Sequence, residues 1–239
     1  RNKAFRCAMI RGFDWKSRND SWYSGLGEIF PGIIPPMVPE FDPNLSRESV
    51  TYDPEGARKL LEDNGWTAEN MPTLEYGAMP GPTSRLFYEQ FRAWMKRIGY
   101  PPEKLKLKTY ATFGDIAKAW RGSGLPYIAK GWGLDYPDAE NTLQLFYGPN
   151  GSPGSNDGNY NNPEYDVLFR RAAVMLPSPE RTAIYRRMNE LLVADCVAVT
   201  GLARVAISMW HKNVVMYPER YFVGGRALMY VDILDDAAP

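Results

Sequence analysis

Thr73-Leu-Glu-Tyr-Gly-Ala-Met79 and Lys104-Leu-Lys-Leu-Lys-Thr109 are two runs of strand composition separated by a helical one. Pro80-Gly81-Pro82 breaks the first run. A helix over 83–98 is then predicted, with Leu86, Phe87, Phe91, Trp94, Met95 and Ile98 on its buried face and a stop at Gly99. Strict alternation in the second run turns Leu105 and Leu107 toward a core and Lys104, Lys106 and Lys108 toward water. The lysines are thus a solvated strand face, not a binding patch. A short helix over 112–121 and a buried strand over 127–132 continue the alternation, which makes the chain α/β without deciding the order of the sheet.

Working outward, Ala4, Phe5, Ala8 and Met9 have helical spacing, so the chain opens at or inside a helix. With no initiator Met and no signal peptide, it reads as a piece of a longer protein. Residues 12–52 hold five prolines and four glycines and read as an extended loop. Asp53-Pro54-Glu55 then starts a helix: Asp53 can cap free N–H groups, Pro54 suits the first helical position, and Asn64-Gly65 ends it. Residues 148–162 are turn formers. Asn162-Pro163 and Ser178-Pro179 open two more helices, with Tyr165, Leu168, Phe169, Ala172 and Met175 facing inward on one and Ile184, Tyr185, Met188, Leu191 and Leu192 on the other. Residues 197–199 and 205–209 are strand candidates, and 232–239 reads as a frayed tail.

Of 239 residues 44% are apolar, enough for a packed core. With 28 Lys plus Arg against 28 Asp plus Glu, no basic excess exists to meet a phosphate backbone, so no nucleic-acid partner is expected. The longest apolar run, 196–210, is interrupted by Thr200, Gly201 and Arg204 and cannot span a bilayer. His211 is the sole histidine, which removes any site needing two imidazoles; no metal is expected, and no Gly-x-Ser-x-Gly elbow occurs. Neither Gly25-Leu-Gly27 nor Gly148-Pro-Asn-Gly151 completes a phosphate-binding loop. Cys7 and Cys196 lie 189 positions apart; that separation does not decide whether they pair, and the ordinary reading is two buried free thiols.

The unusual chemistry concentrates in Gly131-Trp-Gly-Leu-Asp-Tyr-Pro-Asp-Ala-Glu-Asn141, where a strand runs into an aromatic, a carboxylate and a second aromatic. Ligands of α/β proteins sit at strand ends, and an acid between Trp132 and Tyr136 can hold a cation by charge and by ring faces. Asp138 and Glu140 read as capping acids of a turn, whereas Asp135 stands between a turn role and a ligand role. Asp135 and Glu140 could also be a glycosidase pair.

This stretch, followed by Asn159-Tyr-Asn-Asn-Pro-Glu-Tyr-Asp166, resembles the paired signatures of family 5 extracellular solute-binding proteins, the oligopeptide-, dipeptide- and nickel-binding components of ABC importers. Arg1 to Arg11, Tyr52-Asp-Pro-Glu-Gly-Ala-Arg-Lys-Leu-Leu-Glu-Asp-Asn-Gly-Trp66 and Glu180 to Asp195 resemble three further family helices, in the family's order. The resemblance implies a class II-like periplasmic-binding-protein lobe, a mixed sheet flanked by helices, as a fragment of a two-lobed protein. Residues 1–204 would be the second lobe and residues 205–239 the segment returning across the hinge. It further implies capture of an extracellular or periplasmic solute, peptides first, for delivery to ABC permease subunits, by a monomer with no cofactor and no catalytic residue.

By the same resemblance Asp135 pairs with a peptide's α-amino group, and Trp132 lies in the strand that pairs with the ligand backbone. Gly131 and Tyr136 belong to the site, and Lys130 is the nearest basic residue for a peptide's carboxylate. A sugar or metal chelate is the alternative solute. The Gly/Pro-rich segment 12–52 is also compatible with a pure interaction module.

Overall fold

The computed structural model describes residues 2–122, 127–205, 207, 209–216 and 231–234. The elements run α1 (Lys3–Arg11), α2 (Trp15–Tyr23), β1 (Glu28–Ile29), α3 (Pro54–Asp63), β2 (Leu74–Ala78), α4 (Pro82–Arg97), β3 (Leu105–Thr109) and α5 (Phe113–Arg121). They continue β4 (Tyr127–Ile128), α6 (Glu140–Leu143), α7 (Pro163–Ala172), α8 (Pro179–Ala194), β5 (Leu202–Ala203), β6 (Val214–Met216) and β7 (Val231–Ile233).

The central sheet has the order β3-β2-β4 and is parallel, with Tyr76 of β2 opposite Leu107 on one side and Tyr127 on the other. The chain leaves β2 for β3 on one flank and returns through α5 to β4 on the opposite flank. Strand order therefore reverses between β2 and β4, the kind of position at which ligands of open α/β sheets bind. Antiparallel pairing is found in two separate ladders, β1 with β5 and β6 with β7.

Two apolar cores carry the fold. One packs α1, α3 and α4 against the sheet through Ala8, Ala57, Leu61, Tyr76, Phe91, Trp94, Met95 and Leu105. The other joins Ile34 and Val38 to α6, α7 and α8 through Leu143, Tyr165, Phe169, Tyr185 and Met188. The predicted caps hold the helix starts: Asp53 accepts from Gly56 N–H at 2.8 Å, and Asn162 and Ser178 do the same for α7 and α8. Gly65, at φ +73°, closes α3 in the left-handed region.

Several expectations are corrected. Segment 12–52 is not loop throughout, because α2 lies within it. Its buried residues are Arg18 and Asn19, held by polar contacts to Gln90 and Gly27, so no apolar period announced it; the legible sign was Asp14, which caps Ser17 N–H at 2.8 Å. Leu86 is exposed and Tyr88 takes its place inside, its hydroxyl donating to Leu105 O at 2.7 Å, because the inward face of α4 runs 88, 91, 94/95 and 98. Lys104 precedes β3 and is half-buried, donating to the carbonyls of Glu69 and Met71, while Lys108 pairs with Glu75 at 2.8 Å.

Strand β4 stops at Ile128, so Trp132 is beyond it. Residues 197–199 form no strand, and the returning pair is β5 instead. Within 205–209, residues 206 and 208 lie outside the described residues and the others are not strand. Asp232 belongs to β7, while 235–239 lie outside the described residues.

Cys7 and Cys196 form a disulfide, Cα to Cα 5.1 Å, joining α1 to the residue pair that ends α8. The expectation of free thiols fails because the tertiary fold sets the end of α8 against α1. Arg6 reinforces the junction by donating to the carbonyls of Asp195 and Cys196, and Lys3 approaches the Asp195 carboxylate at 3.4 Å.

Burial works to raise the Asp195 carboxyl, but hydrogen bonds from Tyr160 and Asn162 together with Lys3 outweigh it and hold the group below its ordinary 3.8. A depressed folded-state value stabilises the fold above the unfolded value, and that contribution is lost as pH falls through the folded one. The stability gap between the wild type and Asp195→Asn should therefore be widest near neutral pH and shrink in acid. Urea unfolding across that range checks it; a gap independent of pH would refute it.

Candidate functional site

The site grows from the end of β4. Past Ile128 the backbone forms no regular structure until α6, and the quoted stretch 131–141 runs along that path into α6. The organising residue is Asn141 in α6, 1% exposed. Its Oδ1 accepts from Trp132 Nε1 at 2.9 Å and from the backbone N–H of Asp135 at 3.2 Å, and its Nδ2 donates to Asp135 Oδ2 at 3.3 Å. Trp132 and Asp135 are thus brought together while both stay exposed, Trp132 at 42%.

The remaining predicted residues distribute around this pair. Lys130 is ion-paired with Asp157 from the turn-rich segment, and its ammonium lies 5.6 Å from the Trp120 ring and 5.9 Å from the Trp132 ring. The Tyr136 hydroxyl donates to Glu140, and burial together with that bond raises the phenol above its ordinary value. Gly131 would accept a Cβ, the nearest atom being Arg204 Nη2 at 3.6 Å, so neither space nor a left-handed backbone explains a glycine there.

Asp138 differs most from a simple capping acid. It accepts from Glu140 N–H at 2.9 Å, as capping requires, yet also meets Arg181 Nη2 at 2.7 Å. Arg181 reaches Glu40 at 3.5 Å as well, and Glu40 accepts from Ala139 N–H at 3.3 Å. With side chains 8% and 6% exposed, Arg181 and Glu40 form an ionic anchor beneath the loop. Burial pushes the neighbouring Tyr185 hydroxyl up to about 12.

Sequence reasoning missed Asn141, Arg181, Glu40, Trp120 and Asp157. Only Asn141 carried a local sign, as a polar residue closing the quoted stretch. Among the described residues no group of three or more His, Cys, Asp or Glu comes together that could hold a metal ion, and no helix is long and apolar enough to cross a membrane. The arrangement offers an exposed carboxylate oriented by the same amide that holds the Trp132 indole, and a fixed carboxylate is suited to an ammonium.

Comparison with known proteins identifies the family. Residues 1–154 match the family described as bacterial extracellular solute-binding proteins, family 5 Middle. The dipeptide-binding protein of Escherichia coli (strain K12) is 25% identical over 176 residues, which cover 71% of this chain and 31% of that protein. The probable di/tripeptide-binding protein 5 of Pseudomonas aeruginosa (strain UCBPP-PA14) is 23% identical over 188 residues, covering 78% and 35%. The chain thus spans about a third of the length of these curated relatives.

Among solved structures, the periplasmic binding protein DppA from Helicobacter pylori in complex with the peptide STSA superposes with a TM-score of 0.76 at 19% identity, over 98% of this chain and 44% of that one. NikA from Brucella suis in complex with Fe(III)-EDTA gives 0.67 at 19% identity, over 82% and 41%. The α/β fold is that of a substrate-binding-protein lobe. The chain belongs to the family 5 bacterial extracellular solute-binding proteins.

Proposed function

We propose that this chain is the second lobe of a two-lobed, peptide-binding component of an ABC importer, working in the periplasm or tethered outside the membrane and handing its cargo to permease subunits. Residues 1–204 form the ligand-binding lobe in this reading, and 205–239 return toward the first lobe. The observation that carries it is the exposed Asp135 carboxylate, held by the same Asn141 amide that holds the Trp132 indole. A desolvated peptide ammonium needs one fixed anion. The curated relatives named for dipeptides and di/tripeptides support peptides as the cargo. Membership in a solute-binding family supports capture over turnover.

Lobe closure around the solute follows the hinge mechanism of periplasmic binding proteins, so a single lobe holds half the contacts and should bind weakly by itself. In the protein carrying both lobes, Asp135→Ala should weaken trialanine binding roughly 10- to 100-fold, the worth of one charge-assisted hydrogen bond. Calorimetric titration checks this, and an unchanged affinity would sink the ammonium role. Native mass spectrometry of that protein identifies the cargo. A ladder of peptide masses supports peptide import; a single non-peptide mass, as the chelate bound by the NikA relative would give, replaces the peptide with another solute.

A further inference from the structure

The ammonium site proposed above depends on a side chain that touches no ligand. We infer that Asn141 is its positioning residue: a carboxamide sealed from water holds Trp132 and Asp135 in one arrangement, so the carboxylate meets an incoming ammonium already organised. The inference rests on the reading of Asp135 as the ammonium's partner.

Three contacts carry it. A carboxamide offers two acceptor sites and two donors, and Asn141 uses both acceptors and one donor on Trp132 and Asp135. Asp135 is exposed, and among the described residues its carboxylate has Asn141 Nδ2 as its one hydrogen-bond donor. Without that donor the carboxylate would sample its rotamers freely, and binding would have to include the entropy of ordering it. The indole is tethered in the same way, since its Nε1–H ends on the oxygen that also receives Asp135 N–H.

Asn141 is itself held from below. Its backbone N–H donates to Asp138 O at 3.1 Å, and the two preceding N–H groups, of Ala139 and Glu140, end on Glu40 and Asp138, the carboxylates gripped by Arg181. The buried ionic anchor, the amide and the exposed pair form a continuous support from α8 to the surface. Thr142 provides an internal control. It is 5% exposed and its hydroxyl donates to Ala139 O at 3.1 Å, in the same turn, without reaching Trp132 or Asp135.

The test has two arms. In this chain, the indole N–H resonance of Trp132, assigned by its loss in Trp132→Phe, should be protected from solvent exchange. Asn141→Leu should bring its exchange to that of an exposed indole, and Thr142→Val should leave it protected. In the protein carrying both lobes, with trialanine and N-acetyl-trialanine as probes, Asn141→Leu should lower the preference for the free amine about tenfold, the worth of the lost hydrogen bond. Thr142→Val should keep that preference.

An unprotected Trp132 indole in the wild type would overturn the inference, and so would equal loss of preference in both variants. If Asn141→Leu fails to fold, wild-type protection together with Asn141→Ser, which removes the donor to Asp135 at lower volume, decides the matter. If trialanine fails to bind the wild type, the peptide reading falls, while the indole result still judges the positioning role.

Discussion

Replacing Cys7 and Cys196 together by serine is expected to cost the fold about 5 kcal/mol, because the cross-link closes a loop of 189 residues. In the chain-entropy treatment the benefit grows with the logarithm of loop length, and this loop takes in nearly the whole described chain. The location matters as much as the length. The bond ties α1, which packs in the core against the sheet, to the end of α8, which packs in the other core. Arg6 donates to the carbonyls of Asp195 and Cys196, neutralising the negative end of α8 at the same junction.

Urea unfolding of the double variant, and of the wild type under reducing conditions, checks the expectation. The two should agree, and a loss below about 1 kcal/mol would mean that the polar contacts and cores hold the junction unaided. An oxidising compartment outside the cytoplasm, proposed here for the protein, is the setting in which such a bond persists.

Arg181→Met should be nearly as damaging, at about 3–5 kcal/mol, since it strands the Glu40 and Asp138 carboxylates beneath the loop. The guanidinium also donates to Tyr185 and to the Ala172 carbonyl, so one side chain serves α7, α8, the 134–139 loop and the segment before α3. The triple variant Arg181→Met, Glu40→Gln, Asp138→Asn removes the stranded charges and keeps acceptors for the N–H groups of Ala139 and Glu140. It should recover most of the loss, as neutral replacements of buried ion pairs commonly do. Denaturation curves decide: if the triple variant is no more stable than the single one, uncompensated charge was not the cause.

How much of this could be read beforehand follows from the range of each interaction. Asp53-Pro54, Asn162-Pro163 and Ser178-Pro179 announced three helix starts because a cap satisfies N–H groups two or three residues away. Alternation along 105–109 announced β3 because side-chain direction in a strand is a local property. By contrast α2 has its Asp14 cap as its local sign and no apolar period, for its buried face is the polar pair Arg18 and Asn19, whose partners Gln90 and Gly27 stand outside the helix. Strand β4 is shorter than the apolar pattern over 127–132 suggests because a strand lasts only while a neighbour pairs with it, and the β2 register reaches Ile128 and no further.

The candidate site divides along the same line. By itself the sequence determined the α/β class and put Trp132 and Asp135 in one short stretch, both consequences of local spacing. Only the tertiary structure decided that Cys7 meets Cys196, that Tyr136 turns to Glu140, and that Arg181 and Glu40 anchor the loop. Those outcomes depend on which distant residues share a buried volume. A hydrogen bond or ion pair in such a volume is set by packing across tens to hundreds of positions, a quantity that no local pattern encodes.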